Sequence, residues 1–133
     1  MVDQTGQTAA TGVNAERITW VRRADTPPFS PAPGIQLQPV IGEKMMTCWI
    51  TMAPNAVVAE HSHINEQLGV VAEGSVTLTA GGESRTVALG DAYIVPSNLP
   101  HSAVAGPEGA LLVETFAPVR DDYAQAWRAV AGR

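Results

Sequence analysis

Three histidines are present in the chain, and all of them lie in two short segments with the character of β-strands. His61 and His63 open the first segment, which runs to Gln67, and His101 closes the second, which begins at Gly90. Because all of the histidines lie in these two segments, we expect the segments to meet at one site. Because imidazole is the commonest protein ligand of metals, that site is predicted to hold a divalent metal ion.

The spacing of these residues predicts which side chains bind the metal, because alternate side chains of an extended strand share a face. His61, His63 and Gln67 occupy odd positions and would share a face of one strand, whereas Glu66 would point to the other. We therefore expect Gln67 as the third ligand and His101, from a different strand, as the fourth. Such neutral nitrogen and oxygen donors suit Zn, Ni, Fe, Co or Mn and leave the charge of the ion uncompensated, which favours Lewis-acid chemistry. A bare His-x-His pair is more often structural, so the prediction depends on Gln67 and His101.

Length and charge limit the kinds of protein this chain can be. Its 133 residues, 45% apolar and 16% charged, suffice for one domain with a core. It has neither an apolar run of roughly 18 residues nor a signal pattern, so we expect a cytoplasmic protein without membrane partners. A formal net charge of −5 also argues against nucleic acid, but it allows a small anionic or oxygen-rich substrate. Cys48 is the only cysteine and is predicted to be a core residue.

The chain is expected to have four parts. Residues 1–15 are polar and are predicted to be a mobile tail. Residues 16–34 form a proline-rich arm, with a short strand at residues 18–21 and Phe29 as an anchor. Residues 35–118 are predicted to form a barrel, and residues 119–133 have the apolar spacing of a short helix packed on it.

Short apolar runs separated by turn residues predict an all-β domain. Turn signals occur at Glu73-Gly74, Gly90-Asp91 and residues 106–109. The predicted fold is a double-stranded β-helix, which is a jelly-roll barrel, with a short C-terminal helix. Its candidate strands are 35–41, 45–53, 57–60, 64–72, 75–80, 84–88, 92–95, 101–106 and 110–117.

Several further side chains are candidates for the site. Glu114 lies in an apolar strand, where it either faces solvent at an edge or faces the barrel cavity and needs a partner. Phe116 shares its face. Tyr93 can point to either face of its strand. Arg85 and Arg120 are candidates for pairing with a substrate carboxylate, although surface arginines are the commoner case.

The two histidine segments resemble the paired motifs of the cupin superfamily. The first motif extends from Pro54 to Gly74, and the second contains Gly90, Pro96 and His101. Ala105 stands where the second motif usually has a terminal asparagine, a position that does not bind metal. The resemblance covers roughly residues 35–118. It implies the barrel fold, and cupins are often homodimers.

A narrower similarity exists to small single-domain cupins of pectin and alginate breakdown, which convert unsaturated monouronates into their linear keto form. It is carried by residues 61–67 and 96–103, and near the C terminus by Glu114, Phe116 and Arg120. The resemblance implies a metal-dependent isomerase or tautomerase of a small oxygen-rich carbonyl acid, such as an unsaturated uronate. Glu114 would move the proton and Phe116 would shape the pocket. Glu114 is one methylene longer than the aspartate usual in that family.

Two other functions remain open from the sequence. One is an Fe-dependent dioxygenase or lyase acting on a small metabolite, which the lack of an anionic glutamate ligand disfavours. The other is a non-catalytic cupin that binds a small molecule, and it would need the pocket but not Glu114. Oxygen consumption with Fe(II) separates the dioxygenase from the isomerase, and turnover separates both enzymes from the binding protein.

Overall fold

The computed structural model describes residues 13–132, which form eight strands and one α-helix after an N-terminal arm. This architecture confirms the predicted all-β jelly roll with a short C-terminal helix. Most of the predicted mobile tail, residues 1–12, lies outside the described residues. The elements are β1 Phe29–Ala32, β2 Ile35–Ile41, β3 Met46–Met52, β4 Val57–His61, β5 Glu66–Ala80, β6 Glu83–Ala88, β7 Ala92–Val95, β8 His101–Ala117 and α1 Asp121–Ala131.

All strand pairs are antiparallel, and the strands follow the order β1-β2-β3-β8-β5-β6. Strand β4 also pairs with β8, and β7 also pairs with β5. The first part of β8 pairs with β4 and the end of β5, whereas its last part pairs with β3 and the start of β5. The two long strands therefore connect the two halves of the barrel.

Strands β5 and β8 are each continuous where the sequence predicted two strands and a turn, so the predicted turns at Glu73-Gly74 and residues 106–109 are wrong. The glycines there serve a different purpose. Gly74 has a φ of +70°, and a Cβ on it would collide with the carbonyl oxygen of Gly109 on the neighbouring strand. The register between β5 and β8 also shifts around Gly74. These glycines therefore allow two crossing strands to approach closely and bend, rather than reversing the chain.

The N-terminal arm differs from its prediction in one respect. Residues 18–21 are not a strand, because within residues 13–132 no other strand pairs with them. Instead, β1 pairs with β2 at the edge of the sheet. Phe29 is buried and its ring meets that of Tyr123 at 5.8 Å, so it anchors the arm as expected. Trp127 adds a hydrogen bond from its Nε1 to the carbonyl oxygen of Pro27 at 2.7 Å.

Helix α1 covers the barrel next to β1 and β2. It buries Ala124 and Trp127, and it carries Asp121 and Asp122 in its first turn, where the helix dipole favours negative charge. No helix within residues 13–132 has the length and apolar character needed to cross a membrane. The buried core under the helix includes Phe29, Leu37, Met46, Cys48, Ile50, Leu112 and Phe116.

Candidate metal centre and active-site cavity

The three histidines converge, although by a different chain path from the one predicted. His61 is the last residue of β4 and lies opposite His101, the first residue of β8. His63 lies in the connection between β4 and β5, and Gln67 is near the start of β5. The prediction that His61, His63 and Gln67 share one strand is therefore wrong, because the chain crosses from one half of the barrel to the other at residues 62–65.

The connection that carries His63 is held at both ends by hydrogen bonds. The backbone N–H of Asn98 donates to the carbonyl oxygen of His63 at 2.7 Å. The side-chain amide of Asn65 is buried and donates to the carbonyl oxygen of Pro118 at 2.6 Å. These bonds fix the direction of the His63 side chain although it does not lie in a strand.

Backbone carbonyls orient all three imidazoles in the same way. His61, His63 and His101 each place Nδ1 within 2.9, 3.0 and 2.8 Å, respectively, of a carbonyl oxygen two residues away. A carbonyl oxygen can only accept, so each Nδ1 carries the proton and each Nε2 keeps its lone pair. This arrangement is typical of metal-binding histidines, whose second nitrogen donates to a carbonyl or carboxylate.

The ligand atoms of the three histidines lie close together, all within 4.8 Å of one another. Among the described residues, Nε2 of His101 is a buried polar atom without a hydrogen-bond partner. Nε2 of His63 lies 3.1 Å from the side-chain oxygen of Gln67, so two acceptors face each other there. A divalent cation would satisfy all of these atoms, so the donor set fits the predicted metal.

The protonation state of His63 and His101 also suits a metal. Burial lowers the pKa of His63 and of His101, and the positive charge of Arg120 acts in the same direction on both. The neutral imidazole is the form that binds metal, because its lone pair is free.

Glu114 faces the cavity and is buried, so of its two predicted orientations the structure has the inward one. One of its oxygens, Oε2, accepts a hydrogen bond from the Gln67 amide at 2.7 Å and another from the Tyr93 hydroxyl. Burial raises the pKa of Glu114, while the two hydrogen bonds and the charge of Arg120 oppose that rise. A buried carboxyl group with a raised pKa that contacts a candidate metal ligand is a candidate for proton transfer.

Tyr93 also points inward, which the sequence left open. It lies opposite Gly69 in the pairing of β7 with β5. A Cβ on Gly69 would overlap the tyrosine ring, so the glycine provides the space that the ring occupies. The sequence did not single out Gly69. Its signal is a glycine inside a strand, which often marks a close approach of another group.

Arg120 is the arginine that reaches the cavity. It is buried, and its guanidinium lies 3.6 Å from the ring centre of Tyr123 and 5.1 Å from that of Phe116. Asp122 holds it with two hydrogen bonds of 2.8 and 3.2 Å. Arg85, the other candidate, is exposed and pairs with Glu83, so the structure does not bring it to the site.

All of the candidate residues except His63 and Arg85 line one cavity of about 360 Å³, a size suited to a small organic ligand. Phe116 lies on its wall, with its ring 5.7 Å from that of His63. Tyr123 also lines the cavity, and burial raises its pKa to about 12. From the sequence, Tyr123 was assigned only to the helix. Its position three residues after Arg120 is a signal that both side chains could reach the cavity, because residues three apart on a helix lie on the same face. The polar residues lining the cavity are His61, Gln67, Tyr93, His101, Glu114, Arg120 and Tyr123.

Comparison with known proteins identifies the family. Residues 48–116 match the cupin domain family. The chain is 39% identical over 80 residues to the pectin degradation protein KdgF of Dickeya dadantii (strain 3937). This alignment covers 59% of this chain and 72% of that protein. It is 41% identical over 51 residues to H2HPP isomerase of Bacillus subtilis, covering 38% of this chain but only 22% of that protein.

A solved structure supports the same assignment. The structure of KdgF from Halomonas sp. aligns with a TM-score of 0.75 and 28% identity, covering 80% of this chain and 99% of that one. The family match spans more than half of the chain, and it includes Gln67, His101, Glu114 and both halves of the barrel. Cupins commonly bind a metal, and the histidine cluster of this chain is consistent with that property. The chain belongs to the cupin family.

Proposed function

We propose that the protein is a metal-dependent isomerase that converts the enol form of a small carbonyl acid into its keto form. The observation that carries the proposal is the contact between Glu114 and Gln67, which places a buried carboxyl group beside the converging imidazoles in one cavity. Similarity to KdgF and to H2HPP isomerase supports the reaction class and makes an unsaturated uronate one candidate substrate.

The metal is proposed to be held by His61, His63, Gln67 and His101. A divalent cation such as Zn, Ni, Fe, Co or Mn would supply Lewis acidity, which stabilises negative charge on the enol oxygen as that oxygen loses its proton. The reaction needs no oxidant. The enol oxygen loses one proton and its bond to carbon becomes a carbonyl, while the carbon–carbon double bond becomes single and its far carbon gains a proton.

Glu114 is proposed to move that proton. Both of its hydrogen bonds from neighbouring side chains go to Oε2, so Oε1 is the oxygen that would exchange a proton with the substrate. General acid–base catalysis of this kind typically contributes about 10²- to 10⁴-fold in rate. Phe116 would form the wall against which the reacting carbon lies.

Arg120 is proposed to bind the carboxylate of the substrate. A guanidinium can pair with two carboxylate oxygens at once, and here stacking on Tyr123 and the ion pair with Asp122 hold it in place. A carboxylate bound to Arg120 would lie at the same end of the cavity as the histidines, because Phe116 contacts both His63 and Arg120.

Ketonisation of unsaturated uronates, followed by proton NMR, tests the proposal with Glu114→Gln as the diagnostic variant. We expect turnover by the metal-loaded protein, none after chelation, and a loss of about 10²- to 10⁴-fold in kcat in the variant while its metal content is unchanged. Other enols of small carbonyl acids are tested in the same way. Full turnover by a metal-loaded Glu114→Gln protein would exclude the assigned role, and oxygen consumption with Fe(II) would favour a dioxygenase.

A further inference from the structure

The side chains that line the cavity change from polar to apolar from one row of paired residues to the next. Each such row is called a level here. On β8 the inward side chains are Phe116, Glu114 and then Leu112. Glu114 lies opposite Gly69 of β5, but at the next inward position Leu112 lies opposite Ile50 of β3. Ile50 in turn lies opposite Leu37 of β2. The level next to Glu114 is therefore entirely aliphatic on this half of the barrel.

The other half of the barrel shows the same change. His61 and His101 lie opposite each other, and the next inward pair is Val58 of β4 and Ala103 of β8. Leu78 of β5 pairs with Ala103 from the other side. All of these side chains line the cavity. We call this region the aliphatic end of the cavity, formed by Ile50, Val58, Leu78, Ala103 and Leu112.

The cationic group lies toward the opposite end. Arg120 lies beside Phe116, whose ring contacts His63, so its guanidinium is at the level of the histidines or beyond it. The ring of Tyr123 contacts both Phe116 and Phe29 and so spans the two levels. A ligand whose carboxylate reaches Arg120 and whose reacting carbon reaches Glu114 would extend its remaining atoms into the aliphatic end. Side chains there offer no hydrogen-bond donor or acceptor, and the strand backbones are paired with one another.

Resting on the proposed function, we infer that the substrate is a small carboxylic acid whose enol carries an apolar group, a hydrocarbon ring or a branched alkyl chain, bound in the aliphatic end. Hydroxyl groups placed there would lose their hydrogen bonds to water without replacement. An apolar group of matching size instead gains from leaving water. A polyhydroxylated uronate is thereby disfavoured relative to an acid with an apolar tail.

Three acids test the inference in one assay of metal-loaded protein. Phenylpyruvate has the carboxylate, the enolisable carbon and an apolar ring, pyruvate lacks the ring, and the unsaturated galacturonate released by a pectate lyase carries hydroxyls instead. Proton NMR follows exchange or conversion at the reacting carbon. We expect kcat/KM for phenylpyruvate to exceed that for each of the other two by about tenfold or more.

The outcomes separate the inference from the proposed function. Uronate turnover equal to or faster than that of phenylpyruvate would overturn the apolar substrate class while leaving the isomerase intact. If phenylpyruvate were no better than pyruvate, the aliphatic end would have no role in binding. The absence of metal-dependent turnover of all three acids would overturn both.

A matched pair of variants locates the apolar group. Val58→Thr places a hydroxyl of nearly the same size at the aliphatic end, whereas Val70→Thr makes the same change on the exposed outer face of β5. We expect Val58→Thr to lower kcat/KM for phenylpyruvate by roughly 5- to 10-fold more than it lowers kcat/KM for pyruvate. Val70→Thr should change neither. An equal loss for both acids in Val58→Thr would refute contact between the ring and this end of the cavity.

Discussion

Gly69→Ala is predicted to disrupt the site through a single added methyl group. Gly69 lies opposite Tyr93, and a Cβ at this position would overlap the phenol ring, including its hydroxyl oxygen. The φ of Gly69 is not positive, so alanine fits the backbone and steric overlap is the source of the effect. The ring must move, and its hydrogen bond to Glu114 is then lost.

The size of the effect follows from these two consequences. Overpacking typically costs about 1–3 kcal/mol, and the low end applies here because Tyr93 lines the cavity and its ring can shift into that space. Losing the hydrogen bond of the Tyr93 hydroxyl costs about 0.5–1.5 kcal/mol more. We therefore expect Gly69→Ala to lower the free energy of unfolding by roughly 1.5–2.5 kcal/mol, against the roughly 5–15 kcal/mol of an ordinary domain.

Urea denaturation of a set of variants measures the two contributions separately. Tyr93→Phe removes only the hydroxyl and should lose the hydrogen-bond contribution alone. Tyr93→Ala removes the ring, so adding Gly69→Ala to it should cost almost nothing. The two substitutions would then be strongly non-additive. If Gly69→Ala cost as much in the Tyr93→Ala background as in the native chain, overlap with the ring would not be the cause.

Three further predictions follow from charge and burial. Arg120→Gln should raise KM for a carboxylate substrate by about tenfold or more in steady-state assays, because a charge-assisted hydrogen bond is lost, and an unchanged KM would exclude the proposed contact. Cys48 is buried and burial raises its pKa, so its thiol should react with a thiol reagent at pH 8 only after denaturation; rapid labelling of the folded protein would contradict this placement. Burial raises the pKa of Glu114 in the folded chain, so the folded state keeps the proton of this carboxyl group to a higher pH than the unfolded state does. The free energy of unfolding therefore falls as pH rises above about 4.3 toward the folded pKa. In chelator-treated protein, Glu114→Gln should therefore gain stability relative to the native chain as pH is raised from 4 to 7, and parallel curves for the two proteins would contradict that direction.

Alternation along strands was sufficient to predict which side chains face inward in several places. Gln67 is buried and Glu66 is exposed, as the odd–even argument required. Glu114 and Phe116 share one face of β8, as alternation predicted, and the structure shows that this face is the inner one. These predictions succeed because the side-chain period of a strand depends only on local geometry.

The predictions that failed depended on partners distant in the sequence. Alternation assumes a continuous strand, so it could not show that the chain leaves β4 after His61 and carries His63 in a connection. Gly74 has the conformational freedom of a turn residue, and only the register of β5 against β8 shows that it serves a close approach of strands. The inward orientation of Tyr93 likewise depends on the space above Gly69, which exists only once β7 and β5 are paired.

X-ray absorption spectroscopy of zinc-loaded protein, purified without a nickel column, tests the central claim most directly. We predict one zinc ion per chain with three imidazole nitrogens at about 2.0–2.1 Å and a further oxygen ligand from Gln67. His101→Ala should remove one imidazole from the spectrum. A chain that binds no zinc, or that holds it with fewer than two imidazoles, would contradict the metal centre on which the proposed chemistry depends.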